Sequence, residues 1–229
     1  MDFVEGEIIA FDKPYRWTSF DVVGKARWLL CHKLGVKKLK VGHTGTLDPL
    51  ATGVVVVCTG KKTKLIDELQ NHTKEYVATL QLGATTPSFD LEKPIDQTYP
   101  TNHITRALID EMIPQFLGEQ WQVPPMFSAV KVEGKRAYKL ARKGEDVELK
   151  PKLLVIDAID VVAFDAEKMQ LVIHVVCSKG TYIRALARDI GNKLGSGAHL
   201  IALRRTRVGD ITLDHCINFE QFEQLIANN

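Results

Sequence analysis

A chain of 229 residues, 45% hydrophobic and 25% charged, is ordinary for a globular protein and long enough to bury a sizeable core. It holds no run of about eighteen apolar residues, which argues against a membrane-spanning helix, and Met1-Asp-Phe-Val-Glu-Gly-Glu7 lacks the basic region and apolar stretch of a secretion signal. A net charge of +2 says little about partners, and four scattered cysteines without a Cys-x-x-Cys read as reduced residues of a cytoplasmic protein.

In chain order, residues 6–12 read as a short strand and 13–17 as a turn. Thr18-x-x-Asp21 resembles a capping box that opens a helix. That helix places Phe20, Val22, Val23, Ala26, Leu29, Leu30 and Leu34 on its buried side and stops at Gly35. A glycine-rich loop, 42–53, precedes the apolar strand Val54-Val-Val-Val-Cys58, and a short helix covers 61–70. Residues 74–82 alternate as a strand, with Tyr76, Ala78, Leu80 and Leu82 on one side. Residues 83–100 form a long loop. A helix spans 104–113 and ends or bends at Pro114, and tandem prolines keep 122–130 extended. A helix runs from Lys135 to Gly144, strands cover 153–162 and 169–177, and a helix over 182–194 closes at Gly195. Strands at 200–205 and 211–213 and a helix at 218–226 finish the chain. Strands outnumber what a βαβ alternation needs. The expectation is an α+β fold, a mixed and largely antiparallel sheet with flanking helices, in a single domain spanning 1–229.

The loop Gly42-His-Thr-Gly-Thr-Leu-Asp-Pro-Leu-Ala-Thr-Gly53 gathers three glycines, several turn-favouring residues and one acid. By loop chemistry it is either a turn that contains Asp48 or a rigid mount that presents a carboxylate. Ser178-Lys-Gly-Thr-Tyr-Ile-Arg184 carries a strand through a glycine into a helix. Arg184 reads either as a surface arginine or as a guanidinium that keeps Asp48 ionised, if both elements face one cleft. Lysines and arginines cluster at 33–40, 61–64, 131–143 and 204–207. Each cluster alone is a solvated face; four beside turn-rich segments suit a polyanion. The seven histidines show no metal-ligand spacing, and no nucleotide-binding glycine motif is present, so neither metal nor cofactor is expected.

Several motifs in order carry a resemblance over essentially the whole chain. They are Lys13-Pro-x-x-Trp-Thr-Ser-Phe-Asp21, the Gly42–Gly53 loop, Lys74-x-Tyr76 with Leu82-Gly83, and Val123-Pro-Pro-Met-Phe-Ser-Ala129. Gly134-Lys-Arg-Ala-Tyr138, Ala141-Arg-Lys-Gly144, Cys177–Arg184 and Gly197-Ala-His-Leu-Ile-Ala-Leu-Arg-Arg205 complete the set. Together they resemble the TruB family of tRNA pseudouridine synthases. The resemblance implies the pseudouridine synthase fold with a thumb-like basic insertion at about 120–150, and conversion of uridine 55 in the tRNA T-loop to pseudouridine. It implies Asp48 as nucleophile, Tyr76 against the target base, and Arg184 as partner of Asp48. His43 would fill the space of the flipped nucleotide, and Tyr182 and Leu203 would line the pocket. The tRNA T-stem and T-loop would be the partner of a cytoplasmic monomer. Candidate phosphate contacts are Lys13, Lys38, Lys40, Lys61, Lys64, Lys131, Arg136, Arg142 and Arg205.

The chemistry agrees with that implication. Breaking a C1′–N1 bond develops positive charge on the sugar, which a close carboxylate stabilises or traps, and no second acid accompanies Asp48 as a hydrolase would need. Attack at C1′, addition to the base and a glycal route all stay open. Many relatives carry a PUA-type RNA-binding domain after the catalytic one; this chain ends too soon after residue 213 to hold it, so the basic clusters are expected to supply affinity. The alternative is a catalytically idle tRNA-binding or folding module on the same scaffold.

Overall fold

In the computed structural model of the chain, the run 54–58 lies inside the strand Thr52–Thr59, buried from Gly53 onward. The structure describes residues 1–128, 130–132, 134–141, 143–145 and 147–228, without the side chains of Lys131 and Val132. A strand covered on both faces reads as an unbroken apolar run, and each buried valine contributes about 1.5 kcal/mol or more. The chain divides into two units, Met1–Tyr76 with Leu203–Asn229, and Val77–Ala202.

In the first unit, Ile8–Lys13 pairs antiparallel with the central strand, from Ile8 opposite Cys58 to Lys13 opposite Gly53. On the other edge, Val41–His43 pairs antiparallel with residues 57–59, while Arg204 and Arg205 run parallel to Thr52 and Gly53. The first helix, Ser19–Leu34, opens with the expected capping box of Thr18 and Asp21 and ends at Gly35 in the left-handed region, φ 63°. Its buried side is narrower than expected. Ser19, Val22, Val23, Ala26 and Leu30 share an arc of about 100°, whereas Phe20 lies outside it, 70% exposed. Leu34, in the last turn, is exposed too. The closing helix, Phe219–Ala227, is capped by Asn218 and seats Phe219 and Phe222 on Phe11, with ring centroids 4.9 and 5.1 Å away.

Residues 60–70 differ from one continuous helix: a 3₁₀ helix covers Gly60–Leu65 and an α-turn Ile66–Leu69. The first amides here, which have no partner within the helix, are satisfied from outside it, Gly60 N–H by Lys40 O and Lys61 N–H by Glu5 O.

The second unit is built on antiparallel ladders. Lys152–Asp165 pairs with Gln170–Cys177 on one side and, through Lys152–Ile156, with Gly118–Gln122 on the other. Residues 77–82 of the strand Lys74–Leu82 lie next to Gln170–Cys177, and that strand alternates buried and half-buried as the sequence predicts. The helix Ile183–Lys193 buries Ile183 through Ala187, Ile190 and Gly191. The helix predicted over 104–113 is Arg106–Met112, followed by a 3₁₀ turn, Ile113–Phe116, that accepts Pro114 early. Within 120–150, the expected helix from Lys135 shrinks to Ala137–Ala141, because Lys135 and Arg136 instead pair with Val132 and Lys131. Arg142 lies outside the described residues. Antiparallel ladders together with the parallel pairing of Arg204 and Arg205 with Thr52 and Gly53 give the mixed, largely antiparallel α+β fold.

Candidate active site

The glycine-rich segment is the connection of a hairpin: Val41–His43 and Thr52–Thr59 are its arms, and residues 44–51 its loop. Inside the loop Ala51 N–H donates to Asp48 O at 3.0 Å, a β-turn with Pro49 at its second position. Asp48 is therefore on a turn, and both of its neighbours are fastened. Leu47 is bracketed by Ser19, whose Oγ accepts from Leu47 N–H at 2.8 Å and donates to Leu47 O at 3.3 Å. Pro49 O accepts from Arg16 N–H at 2.8 Å and from Lys13 Nζ at 3.3 Å. The preceding turn is held by Arg205, which donates to Gly45 O at 3.2 Å, Thr46 O at 3.3 Å and Val54 O at 2.7 Å. Half-buried Asp48 thus projects from a loop whose carbonyls are gripped by two cations.

Two expectations are corrected here. Lys13 and Arg205, candidates for phosphate contact, are 0% and 2% exposed and direct their donors at backbone oxygens. Lys13 Nζ also donates to Trp17 O at 2.6 Å and Pro14 O at 3.1 Å. A buried ammonium or guanidinium needs such partners, and the loop's carbonyls supply them. The neighbouring arginines are engaged as well, Arg204 with Asp12 at 2.8 Å and Arg207 with Glu75 at 2.9 Å. Among the other candidates Lys38, Lys40, Lys64 and Arg136 are exposed, and Lys61 pairs with Glu5 at 2.8 Å.

Burial lowers Lys13 from the usual 10.5 to about 8, against the attraction of Asp48, with Arg205 lowering it and Asp21 and Asp12 raising it further. The sign follows. Between about 8 and 10.5 the unfolded chain binds the proton that the folded chain has released, so this group's contribution to stability rises with pH. Activity should move the other way, because a neutral amine loses a donor and the positive charge beside Asp48. The kcat/KM profile is expected to fall above about pH 8 in the parent protein and to lack that limb in Lys13→Met. Titration of the RNA bases is common to both proteins and does not affect the comparison. Identical descending limbs would exclude Lys13.

His43 closes the hairpin arm before the loop. Its pKa is lowered, first by burial and then by the Arg205 guanidinium. Gly45 N–H donates to its Nδ1 at 3.2 Å, so Nδ1 is the bare nitrogen and the ring is neutral with its proton on Nε2. An uncharged imidazole can stack on bases. Tyr76 is buried on the inward side of its strand, two residues after Lys74, whose Nζ donates to Gln70 O at 2.5 Å and His72 O at 2.6 Å. Leu203 is half-buried, beside Arg204 in the strand Ala198–Val208.

Arg184 and Tyr182 belong to the second unit. Tyr182 N-caps the helix Ile183–Lys193, and its backbone N–H and C=O both bond the Gln122 side chain, at 2.9 and 3.2 Å. Arg184, 4% exposed, donates to Ser88 O at 3.2 Å and Phe127 O at 2.9 Å, and its Nε lies 3.6 Å from the carboxylate of Asp90, itself 6% exposed. Between Ser88 and Asp90, Phe89 adopts φ 60°, a left-handed backbone outside glycine. Asp90 is the residue that sequence reasoning missed. It sits in a turn-rich loop with no periodicity, about a hundred residues from its partner, and nothing in the spacing marks it. Ser19 was visible only inside the motif Lys13–Asp21, with no role given to it.

The first unit thus carries a carboxylate on a braced loop, a neutral imidazole on the same hairpin and an inward tyrosine, and the second unit carries a buried arginine. Among solved structures, the fold resembles that in the crystal structure of a Cbf5–Nop10–Gar1 complex, with a TM-score of 0.72 and 30% identity over 97% of this chain and 54% of the longer one. In sequence, residues 32–183 match the TruB family pseudouridylate synthase N-terminal domain, and residues 184–229 the tRNA pseudouridylate synthase B C-terminal domain. The chain belongs to the TruB family. It is 65% identical to tRNA pseudouridine synthase B of Phocaeicola vulgatus over 98% of this chain and 94% of that one. It is 63% identical to the protein of the same name from Parabacteroides distasonis over 100% and 97%.

Proposed function

We propose that the protein isomerises uridine 55 in the T-loop of tRNA to pseudouridine, with residues 1–229 acting as one cytoplasmic, monomeric catalytic domain and the basic segment at about 120–150 lying on the RNA. The observation that carries this reading is the braced turn that presents Asp48, supported by family membership and by relatives whose names state a tRNA pseudouridine synthase.

In the reaction the C1′–N1 bond breaks, uracil turns without leaving, C5 bonds to C1′, the proton on C5 departs and N1 gains one. The Asp48 carboxylate meets the positive charge that develops on the sugar. Because attack at C1′, addition to the base and the glycal route all need it ionised, the cations around its loop serve each of them. Arg184 is assigned as the cation that keeps it so during turnover. In this reading Tyr76 packs against the base and takes the C5 proton, Tyr182 and Leu203 wall the pocket, and neutral His43 occupies the gap left by the flipped nucleotide. Water would hydrolyse the intermediate, so apolar walls suit an isomerase.

The test is tritium release from tRNA carrying [5-³H]uridine. Release is expected from unmodified tRNA and lost when uridine 55 is replaced by cytidine. Tight binding with no release would support the idle RNA-binding module, and free uracil would indicate hydrolysis.

With Lys13 and Arg205 buried, the exposed and unpaired phosphate candidates reduce to Lys38, Lys40, Lys64 and Arg136 among the described residues. Four phosphate contacts predict that log Kd rises with log salt with a slope of about 3 to 4. Filter binding between about 50 and 200 mM salt measures it; a slope near zero would remove the basic clusters as the source of affinity.

A further inference from the structure

The outer side of the first helix is not explained by the site described so far. Gly24 sits exposed in the middle of Ser19–Leu34, where glycine is about 1 kcal/mol less favourable than alanine. No packing reason exists within the described protein, since a Cβ at Gly24 would meet nothing within 4 Å. One turn to either side stand two large aromatics that the fold leaves outside, Phe20 at 70% and Trp28 at 63% exposure. Phe20 is already set edge-on to His43, with centroids 6.2 Å apart, and Trp28 is stacked on His32 at 5.6 Å and 10°.

A shallow cleft of about 550 Å³ lies here, lined by Arg16, Trp17, Phe20, Asp21, Gly24 and Lys25. Its one acid is occupied: Asp21 accepts from Thr18 N–H at 2.8 Å and Thr18 Oγ1 at 2.7 Å. Arg16 is exposed and without an ion pair among the described residues, and its backbone N–H holds Pro49 O, beside Asp48. Beyond Gly35 the positive charge continues through Lys37, Lys38 and Lys40, all exposed and without an ion pair among the described residues. The features combine into aromatic faces, cations and a floor without a side chain, joined to the Asp48 loop at Arg16, Ser19 and Phe20.

We propose that this cleft is a second nucleotide subsite, which takes an unpaired nucleotide of the RNA substrate outside the target uridine's pocket. The base stacks on Phe20, the sugar–phosphate backbone passes over Gly24, Arg16 faces the phosphate, and Trp28 extends the platform. Lys25 borders the cleft but is held by Glu223 at 3.3 Å and lies over the Phe219 ring. Aromatic stacking tolerates any base, and a bare glycine admits a backbone that any side chain would hold off. The proposal rests on the RNA reading of the Asp48 loop, and its substrate class is single-stranded RNA.

Gly24→Gln and Phe20→Ala test it, by equilibrium binding to a full-length unmodified tRNA transcript and by KM and kcat for tritium release. Both variants are expected to raise Kd and KM about tenfold, the scale of one lost stacking contact, with kcat within twofold of the parent. Gly24→Gln should melt at or above the parent temperature, because glutamine favours the helix and the space is open. Parent-like affinity in both variants overturns the subsite, and so does a lower melting temperature for Gly24→Gln, which would give the glycine a structural reason. If sedimentation shows the parent to be a dimer and Phe20→Ala a monomer, the face is an interface between copies and the proposal fails. Binding is read without turnover, so the two readings separate. A parent that releases no tritium while both variants bind RNA more weakly loses the isomerase and keeps the subsite.

Discussion

Asp48→Asn is expected to reduce single-turnover tritium release on the order of 10⁴-fold or more while leaving the fold and RNA affinity close to those of the parent. The separation has a structural basis. Every bond described as holding the loop uses its backbone: Leu47 N–H and O on Ser19, Pro49 O on Arg16 and Lys13, Gly45 O and Thr46 O on Arg205. Asparagine keeps the shape of the side chain and its place in the turn, and loses the charge that meets the developing cation. Melting temperature, filter binding and rapid-quench release together check this. A variant that retains a hundredth of the parent rate would show that Asp48 is not the reacting group.

Gly53→Ala is expected to be the most damaging single-methyl change in the loop's support. Gly53 has φ 106°, and a Cβ there would stand 2.1 Å from Arg205 O and 2.9 Å from both Arg205 C and N. These are backbone atoms of the paired strand, so nothing flexible can give way, and the parallel pairing of Thr52 and Gly53 with Arg204 and Arg205 must open. Left-handed strain and overlap add to about 3 kcal/mol or more, which for a chain of this length lowers Tm by roughly 6–12 °C. Arg205 would move with its strand and release Gly45 O and Thr46 O, so activity should fall at temperatures where the protein is still folded. Gly45→Ala is the control: its nearest neighbour is the end of the Arg205 side chain at 3.9 Å, and the expected cost is within about 1 kcal/mol. Equal melting temperatures for the two variants would contradict the overlap argument.

Periodicity and capping chemistry are local, which is why the Thr18–Asp21 cap, the stop at Gly35, the alternation of 74–82 and the apolar strand at 54–58 were legible from residue order alone. Phe20 was misplaced because it lies just beside the buried arc of its helix, and a hydrophobic residue in such a position does not announce which side of the boundary it takes. The helix expected from Lys135 lost its first residues to a ladder between neighbouring segments, a choice that propensity does not record.

The sequence by itself determined the α+β class, the family through motifs in fixed order, and Asp48 as the acid worth testing. Only the tertiary structure decided what the other charges do. Lys13 and Arg205, one near the start of the chain and one near its end, looked like surface cations for phosphate and are struts under the Asp48 turn. Arg184 found Asp90 across 94 positions, 90 to 184. A charge in a sequence has a sign but no surroundings. Burial and the carbonyls that come to face it fix whether it meets solvent, RNA or the backbone, and those are set by residues far away in the chain.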